Sequence, residues 1–402
     1  MRIAMLCYHS CPLARLGERE AGGMSVYVRN LAQALGRRGV RVDVFTRRHN
    51  AGDPPVTGMA EGVRLVHVDA GPPESVDGSL QLYLADFVDG ARAFAVADGA
   101  AYDTVHSHYW LSGLAGLELA EAWSARHVAT FHTLAEVKLL ADPGGEEPPE
   151  RSPAERRIVA DADALVVSDR HERELLARHY DAPRDRVAVL PGGVDTGTFR
   201  PLDRAEARRR LGLENKRVLL CVGRLDPLKR FDLAVSAAAL LRERHEVEVV
   251  VVGGDLERDP EATRLGALAE SLGVAGSVRF EGALPHDELP WRYSAADVVL
   301  APSWYESFGL VALEAMACGT PVVAARTGGL ASLVRDGETG YLAPQHTPEC
   351  YADRVDVLLA NDALREAMGR AGRAWAESFS WDAVGQRFAA FYGGLLTAEA
   401  AR

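Results

Sequence analysis

The sequence predicts an α/β protein of two domains, each built on a parallel sheet with helices on both faces. Three observations predict this. Apolar strand-like runs alternate with amphipathic helical stretches along most of the chain, the pattern of a doubly covered parallel sheet. The alternation pauses at a turn-rich stretch, PGGVDTGTFRPLD (Pro191–Asp203), and restarts at RVLLCVG (Arg217–Gly223). The length, 402 residues, exceeds one typical domain. The boundary is placed at 199/200.

In the first half, strands are expected at Arg2–Tyr8, Arg41–Thr46, Val63–Asp69, Thr104–Ser107, His127–Thr130, Ala164–Ser168 and Val187–Leu190. Helices are expected at Ser25–Arg38, Leu80–Val96, Leu111–Trp123, Pro153–Asp161 and Arg170–Tyr180. Gly22-Gly23 stands at the first strand-to-helix junction, where a phosphate could approach the backbone closely. His106–Gly113 (HSHYWLSG) and Thr130–Lys138 (TFHTLAEVK) each follow a strand, so His108, Tyr109, His132 and Thr133 could share one crevice. No metal-ligand spacing accompanies these histidines, and hydrogen bonding to hydroxyls suits them better. Asp161-Ala-Asp163 reads as a helix end and loop. Ala141–Pro153, rich in Pro, Gly and Glu, reads as a surface loop over that crevice.

In the second half, strands are expected at Arg217–Gly223, Glu246–Gly253, Val278–Glu281, Asp297–Ala301 and Pro321–Ala325. Helices are expected at Phe231–Arg242, Ala262–Leu272, Glu288–Ala295 and from Phe308 to the Cys318-Gly319 stop. Gly328-Gly329 reads as a second close-approach turn. The tail, Pro348–Ala400, reads as amphipathic helices, the last over Asp382–Thr397.

Two stretches carry the chemistry. In GRLDPLKRFD (Gly223–Asp232), Arg224 and Lys229 sit between a strand end and a helix start, a cationic clamp for a diphosphate. Only three of the 45 basic residues are lysines, so Lys229 marks a place for a compact point charge. In PSWYESFGLVALEAMACGTP (Pro302–Pro321), Glu306 and Glu314 are eight apart, two helical turns that could put both on one side of an axis. Between them Ser307, Phe308, Gly309 and Leu310 offer backbone N–H groups at a positive helix end of about half a unit charge. A carboxylate pair arranged as in retaining hydrolases is not assignable.

Composition narrows the classes. Net charge is −12 without a basic stripe, which argues against nucleic acid as a partner. No apolar run is long enough to span a membrane. The five scattered cysteines and the absence of signal-peptide features point to a reducing, cytoplasmic setting.

With GGMSVYV, HSHYWLSG, HTLAEVK, GRLDPLK and ESFGLVALEAMACGTPV together, the chain resembles the retaining glycosyltransferases of family 4 over essentially its whole length. Within that family it is most similar to the mycothiol-pathway enzymes that move N-acetylglucosamine from UDP to D-inositol 3-phosphate. It is also similar to sucrose-phosphate synthases. The resemblance implies a GT-B fold: two Rossmann-like domains facing a central cleft, acceptor-binding over 1–199 and nucleotide-sugar-binding over 200–380. A C-terminal helix, 381–402, is expected to cross back to the first. It implies that Gly22 and Gly23 meet the donor diphosphate and that Arg224 and Lys229 hold the leaving group. Glu306 with the amides of Ser307–Leu310 would bind the donor sugar and phosphate, Glu314 the ribose, and His132 the donor sugar. The catalytic set so implied is His132, Arg224, Lys229 and Glu306. Ser25, Tyr109, Thr133 and Arg151 fall at acceptor positions. No cofactor and no metal are implied; the nucleotide sugar, expected to carry UDP, is a co-substrate. The partners implied are that donor and a small hydroxylated acceptor, with a homodimer left open. Two departures bear on the acceptor: Ser25 replaces the usual Asn, and Gly71–Leu80 (GPPESVDGSL) contains neither Lys nor Arg. Losing one charge-assisted contact costs about 1.5–3 kcal/mol, so an aminocyclitol or other unphosphorylated polyol is a further expected acceptor class. A nucleotide-sugar epimerase of this fold, or a binding protein without catalysis, are the other readings.

Overall fold

The computed structural model describes residues 1–14, 22–73, 79–141 and 144–400. Residues 74–78 of the Gly71–Leu80 loop, residues 15–21 before Gly22, and 142–143 of the Ala141–Pro153 segment lie outside the described residues. The chain divides into two compact units. One contains residues 1–14, 22–192 and the C-terminal segment from Trp381; the other contains 193–380.

The strands of the first unit are β1 (Arg2–Leu6), β2 (Arg41–Arg47), β3 (Val56–Ala60), β4 (Val63–Val68), β5 (Thr104–His108), β6 (Arg126–Thr130), β7 (Ala164–Val167) and β8 (Val187–Val189). Its helices are α1 (Gly23–Gly36), α2 (Leu84–Asp98), α3 (Trp110–Trp123), α4 (Ala135–Ala141), α5 (Arg151–Asp161) and α6 (Arg170–Tyr180). The sheet order is β3-β4-β2-β1-β5-β6-β7-β8, and all pairings are parallel except β3 with β4. Strand order reverses between β1 and β5, so the crevice beyond their C-terminal ends is where side chains from several loops converge.

The second unit has helices α7 (Arg204–Leu211), α8 (Phe231–Leu241), α9 (Pro260–Ser271), α10 (Leu289–Ala295), α11 (Leu310–Ala317), α12 (Gly328–Leu333), α13 (Pro348–Ala360) and α14 (Asp362–Glu377). Its strands are β9 (Arg217–Val222), β10 (Val247–Val252), β11 (Val278–Gly282), β12 (Val298–Ala301), β13 (Val322–Ala325) and β14 (Gly340–Ala343). The order β11-β10-β9-β12-β13-β14 is wholly parallel and reverses between β9 and β12. Strands such as Val247–Val252 are buried on both faces, which is why they read as unbroken apolar runs.

The last helix, α15 (Trp381–Ala400), packs in the first unit. Trp381, Val384, Phe388 and Tyr392 join the core formed with Val28, Leu31 and Leu35. The approach is close at Gly385, where an added Cβ would lie 2.8 Å from Ala34 Cβ.

Several elements depart from the sequence expectation. The edge strand β3 is antiparallel and carries Gly58, with no apolar alternation to announce it. Helix α7 buries only Ala207 and is held at its start by Asp203, which accepts from the Glu206 N–H at 2.7 Å. Helix α5 begins at Arg151, so the end of the proline-rich segment is helical rather than loop. Gly328 and Gly329 open α12, and the close approach they allow is to the chain's own backbone. A Cβ on Gly328 would lie 2.1 Å from the Glu306 carbonyl oxygen, and one on Gly329 2.4 Å from that of Ser307. Their bareness lets α12 sit against the loop after β12.

Candidate active site

In the second unit the two loops at the β9/β12 switch point are tied together. Asp226 accepts from the Leu228 N–H at 2.9 Å and starts a short 3-10 turn over Pro227–Lys229. Arg230 then takes a left-handed conformation, φ 54°, and α8 begins. The Trp304 N–H donates to the Leu228 carbonyl at 2.8 Å. Lys229 Nζ donates to Glu306 Oε2 at 2.7 Å, both side chains partly exposed. Arg224 points to solvent with its side chain 73% exposed, 3.6 Å from Asp226. Gly253 supports this loop from β10, since a Cβ there would meet the Gly223 carbonyl at 1.8 Å. In the sequence Gly253 is only the end of an apolar run, with no local sign of this contact.

The helix after Glu306 starts two residues later than its pattern suggests, at Leu310, because Gly309 has φ 95° and ends the loop. Phe308 therefore lies in the loop, half-buried against the core, its ring near Phe379. Ser307, Phe308 and Gly309 run into the amino end of α11, whose first N–H groups have no intrahelical acceptor. The two glutamates do not share one helix face: Glu306 is off the helix, and Glu314 points inward. Glu314 is 6% exposed and accepts from His286 Nε2 at 2.7 Å and Tyr293 O–H at 2.8 Å. Burial and the Glu314 carboxylate keep the Tyr293 hydroxyl protonated, well above its ordinary value. His286 had no signal in the sequence beyond lying after a strand.

In the first unit, Tyr109, Thr133 and Arg151 come together. The Arg151 guanidinium stacks 4.7 Å over the Tyr109 ring and donates from Nη2 to the Thr133 carbonyl at 2.7 Å and hydroxyl at 2.9 Å. Arg151 is 1% exposed and is bridged to Glu147 at 2.6 Å and Glu155 at 2.8 Å. Tyr109 has φ 75° and ψ 163°, a region nearly reserved for glycine, and His132 has φ 62°. Two such residues at adjacent strand ends mark a place where side-chain direction outweighs backbone comfort. His132 Nε2 lies 2.9 Å from His108 Nδ1, and the His9 ring packs 4.5 Å from Tyr109. Ser25 departs from the expected acceptor group: it is buried on α1, with its hydroxyl 2.5 Å from that of Ser10. Gly22 and Gly23 stand at the start of α1, and among the described residues nothing lies within 4 Å of where a Gly22 Cβ would project. Asp163 is structural, accepting from Arg126 Nη1 and the His127 N–H.

Residues 22–193 match the family described as glycosyl transferase 4-like domain, and residues 203–375 match glycosyl transferases group 1. A protein from Corynebacterium jeikeium named D-inositol 3-phosphate glycosyltransferase is 43% identical over 98% of this chain and 96% of its own length. The chain belongs to the group 1 glycosyltransferases. A relative of the same name from Acidothermus cellulolyticus is 46% identical over 95% of this chain and 87% of its own. Among solved structures, sucrose-phosphate synthase from Thermosynechococcus elongatus superposes with a TM-score of 0.91, at 33% identity, over 99% of this chain and 100% of that one. The fold of this glycosyltransferase is GT-B.

The buried histidines are expected to make the glycosyltransferase acid-sensitive. Burial pushes His106 and His132 down to about 3, His127 to about 4, and His108 well below the ordinary value. An unfolded chain binds protons at these sites from about pH 6.5 downward while the folded chain does not, so stability falls as pH drops below that point. Glu172, raised to about 8 by burial, and Glu155, raised in the same way, work in the opposite sense, but His9 and His49, pushed down to about 3 and about 4, add to the histidine side. Urea midpoints are expected to decline steadily from pH 6.5 to 4; a flat profile would contradict the buried, neutral assignment.

Proposed function

We propose that the chain transfers a hexose or N-acetylhexosamine, with retention at the anomeric carbon, from a UDP-sugar to a hydroxyl of a small polyol or sugar phosphate resembling inositol phosphate. The observation that carries this reading is the Lys229–Glu306 pair joining the loops after β9 and β12, next to Arg224 and the open end of α11. A cation and helix-end amides beside one carboxylate suit a ligand with a diphosphate at one end and hydroxyls at the other. Lys229 and Arg224 would take the charge that develops on the departing diphosphate, and Glu306 would orient the sugar by accepting from its hydroxyls. Glu314, steadied by Tyr293 and His286, would accept from the ribose. In the first unit, Gly22 and Gly23 would let the diphosphate approach the α1 backbone, and His132 would contact the donor sugar. Tyr109, Thr133 and Arg151 would bind the acceptor, with Ser25 shaping the pocket through Ser10. The leaving phosphate would help take the acceptor's proton, so the reading assigns no metal and no separate cofactor.

The curated relatives' name supports a D-inositol 3-phosphate acceptor. The absence of Lys and Arg from Gly71–Leu80 favours a second reading, an aminocyclitol or other unphosphorylated polyol. A thermal-shift panel of UDP-, GDP- and ADP-sugars selects the donor, and mass spectrometry of a polyol pool that includes inositol 3-phosphate then selects the acceptor. A UDP-sugar and one glycosylated polyol are expected, with activity persisting in EDTA. Activity lost to EDTA and restored by manganese would sink the metal-free reading.

A further inference from the structure

The strand ends of the first unit hold a histidine pair whose proton placement can be worked out. His108 is fully buried at the end of β5, with Nδ1 2.9 Å from His132 Nε2. Its other ring nitrogen, Nε2, is buried with no hydrogen-bond partner among the described residues. Burial holds both imidazoles far below the ordinary histidine value, so both are neutral at pH 7. Two neutral rings share one N–H across the contact, which leaves two arrangements. If His132 donated, His108 would carry its own proton on Nε2, a buried donor with no acceptor. If His108 donates from Nδ1, its Nε2 holds only a lone pair. Orphaned buried N–H groups are the rarer case, because a lone donor has lost its single bond to water with nothing in exchange. The second arrangement is favoured, and it leaves the proton of His132 on Nδ1.

We propose that His108 is a positioning residue for sugar transfer: it donates to His132 Nε2 and fixes His132 as the Nδ1–H tautomer, a hydrogen-bond donor toward a sugar oxygen. The inference rests on the reading of His132 as a contact to the donor sugar. Packing holds the pair in place. The Tyr27 ring meets both imidazoles edge-on, at 5.8 and 5.1 Å, and Trp381 of α15 packs against Tyr27 at 5.6 Å. Behind His108 lies the His106 ring at 4.3 Å, itself held by the Thr130 hydroxyl at 2.9 Å and the Tyr392 hydroxyl of α15 at 2.7 Å. His108 thus connects His132 to the part of the core that α15 completes.

Nitrogen-15 NMR of the histidine-labelled intact protein reads each tautomer without any turnover. His132 is expected protonated on Nδ1 with a bare, accepting Nε2; a proton on His132 Nε2 overturns the proposal. Kinetics give the second arm. His108→Leu is expected to lower kcat roughly 10- to 100-fold, the scale of a misplaced catalytic contact, with a smaller change in donor KM. His108→Asn, whose amide can donate from the Nδ1 position, is expected to recover most of the loss. Folded Asn and Leu variants with equal kcat overturn the proposal, and if neither folds the NMR result decides. Failure of the unaltered protein to transfer any sugar, with the tautomer as expected, would instead overturn the reading of the site.

Discussion

Lys229→Ala is expected to lower turnover about 100- to 1,000-fold, the range seen when one preorganised donor to developing negative charge is removed. Its effect on folding is expected to stay within about 1 kcal/mol, because a partly exposed ion pair contributes little to stability. The Lys229–Glu306 bond is 2.7 Å with both side chains about one-fifth exposed, so water can rescue Glu306 in the variant. The loop itself survives, since Asp226, the Leu228 carbonyl and Gly253 hold its backbone without the lysine. Turnover and a thermal melt on the same preparation separate the two effects. Lys229→Arg is expected to restore only part of the rate, since a planar fork replaces a compact charge. Unchanged turnover in the alanine variant would remove the clamp from the account.

The second large effect is on stability. Arg151→Ala leaves Glu147 and Glu155 facing the space of a buried cation, and removing one partner of a buried ionic set typically costs about 3–5 kcal/mol. Glu155 is already held above the ordinary carboxylate value by burial, with Tyr180 and the Ala135 N–H as its remaining donors. Glu147 keeps Lys138 at 2.5 Å. The Thr133 carbonyl and hydroxyl lose their donor, so the turn carrying His132 and Thr133 loosens as well. A lower denaturant midpoint with an unchanged slope is expected, together with a raised acceptor KM. A midpoint equal to that of the unaltered protein would show that the cluster contributes nothing net to folding.

Much of this was legible in the sequence, for physical reasons. Strands buried on both faces leave continuous apolar runs, so β9, β10, β12 and β13 could be read directly. The loops that follow β9 and β12 declare themselves through a Lys in an Arg-rich chain and a Gly before a helix. What stayed hidden depended on partners distant in sequence. Nothing local said that Glu314 turns inward to His286 and Tyr293, because the helical pitch fixes spacing and not which side is the core. Gly328-Gly329 reads as a close-approach turn, but nothing local says that the backbone it accommodates is the chain's own. Helix α7 carries four arginines in eight residues and buries one alanine, so it has no apolar stripe to detect. The pairing of Ser25 with Ser10 and of His108 with His132 needed the fold to bring separate strand ends together.

The central claim is sugar transfer with retention, and the product tests it most directly. Incubation of the protein with the UDP-sugar of its choice and inositol 3-phosphate, or the polyol selected from the pool, should yield UDP and a single glycoside. Proton NMR of that product should show the same anomeric configuration as the donor. A product of inverted configuration, or UDP release accompanied only by free sugar, would contradict the account.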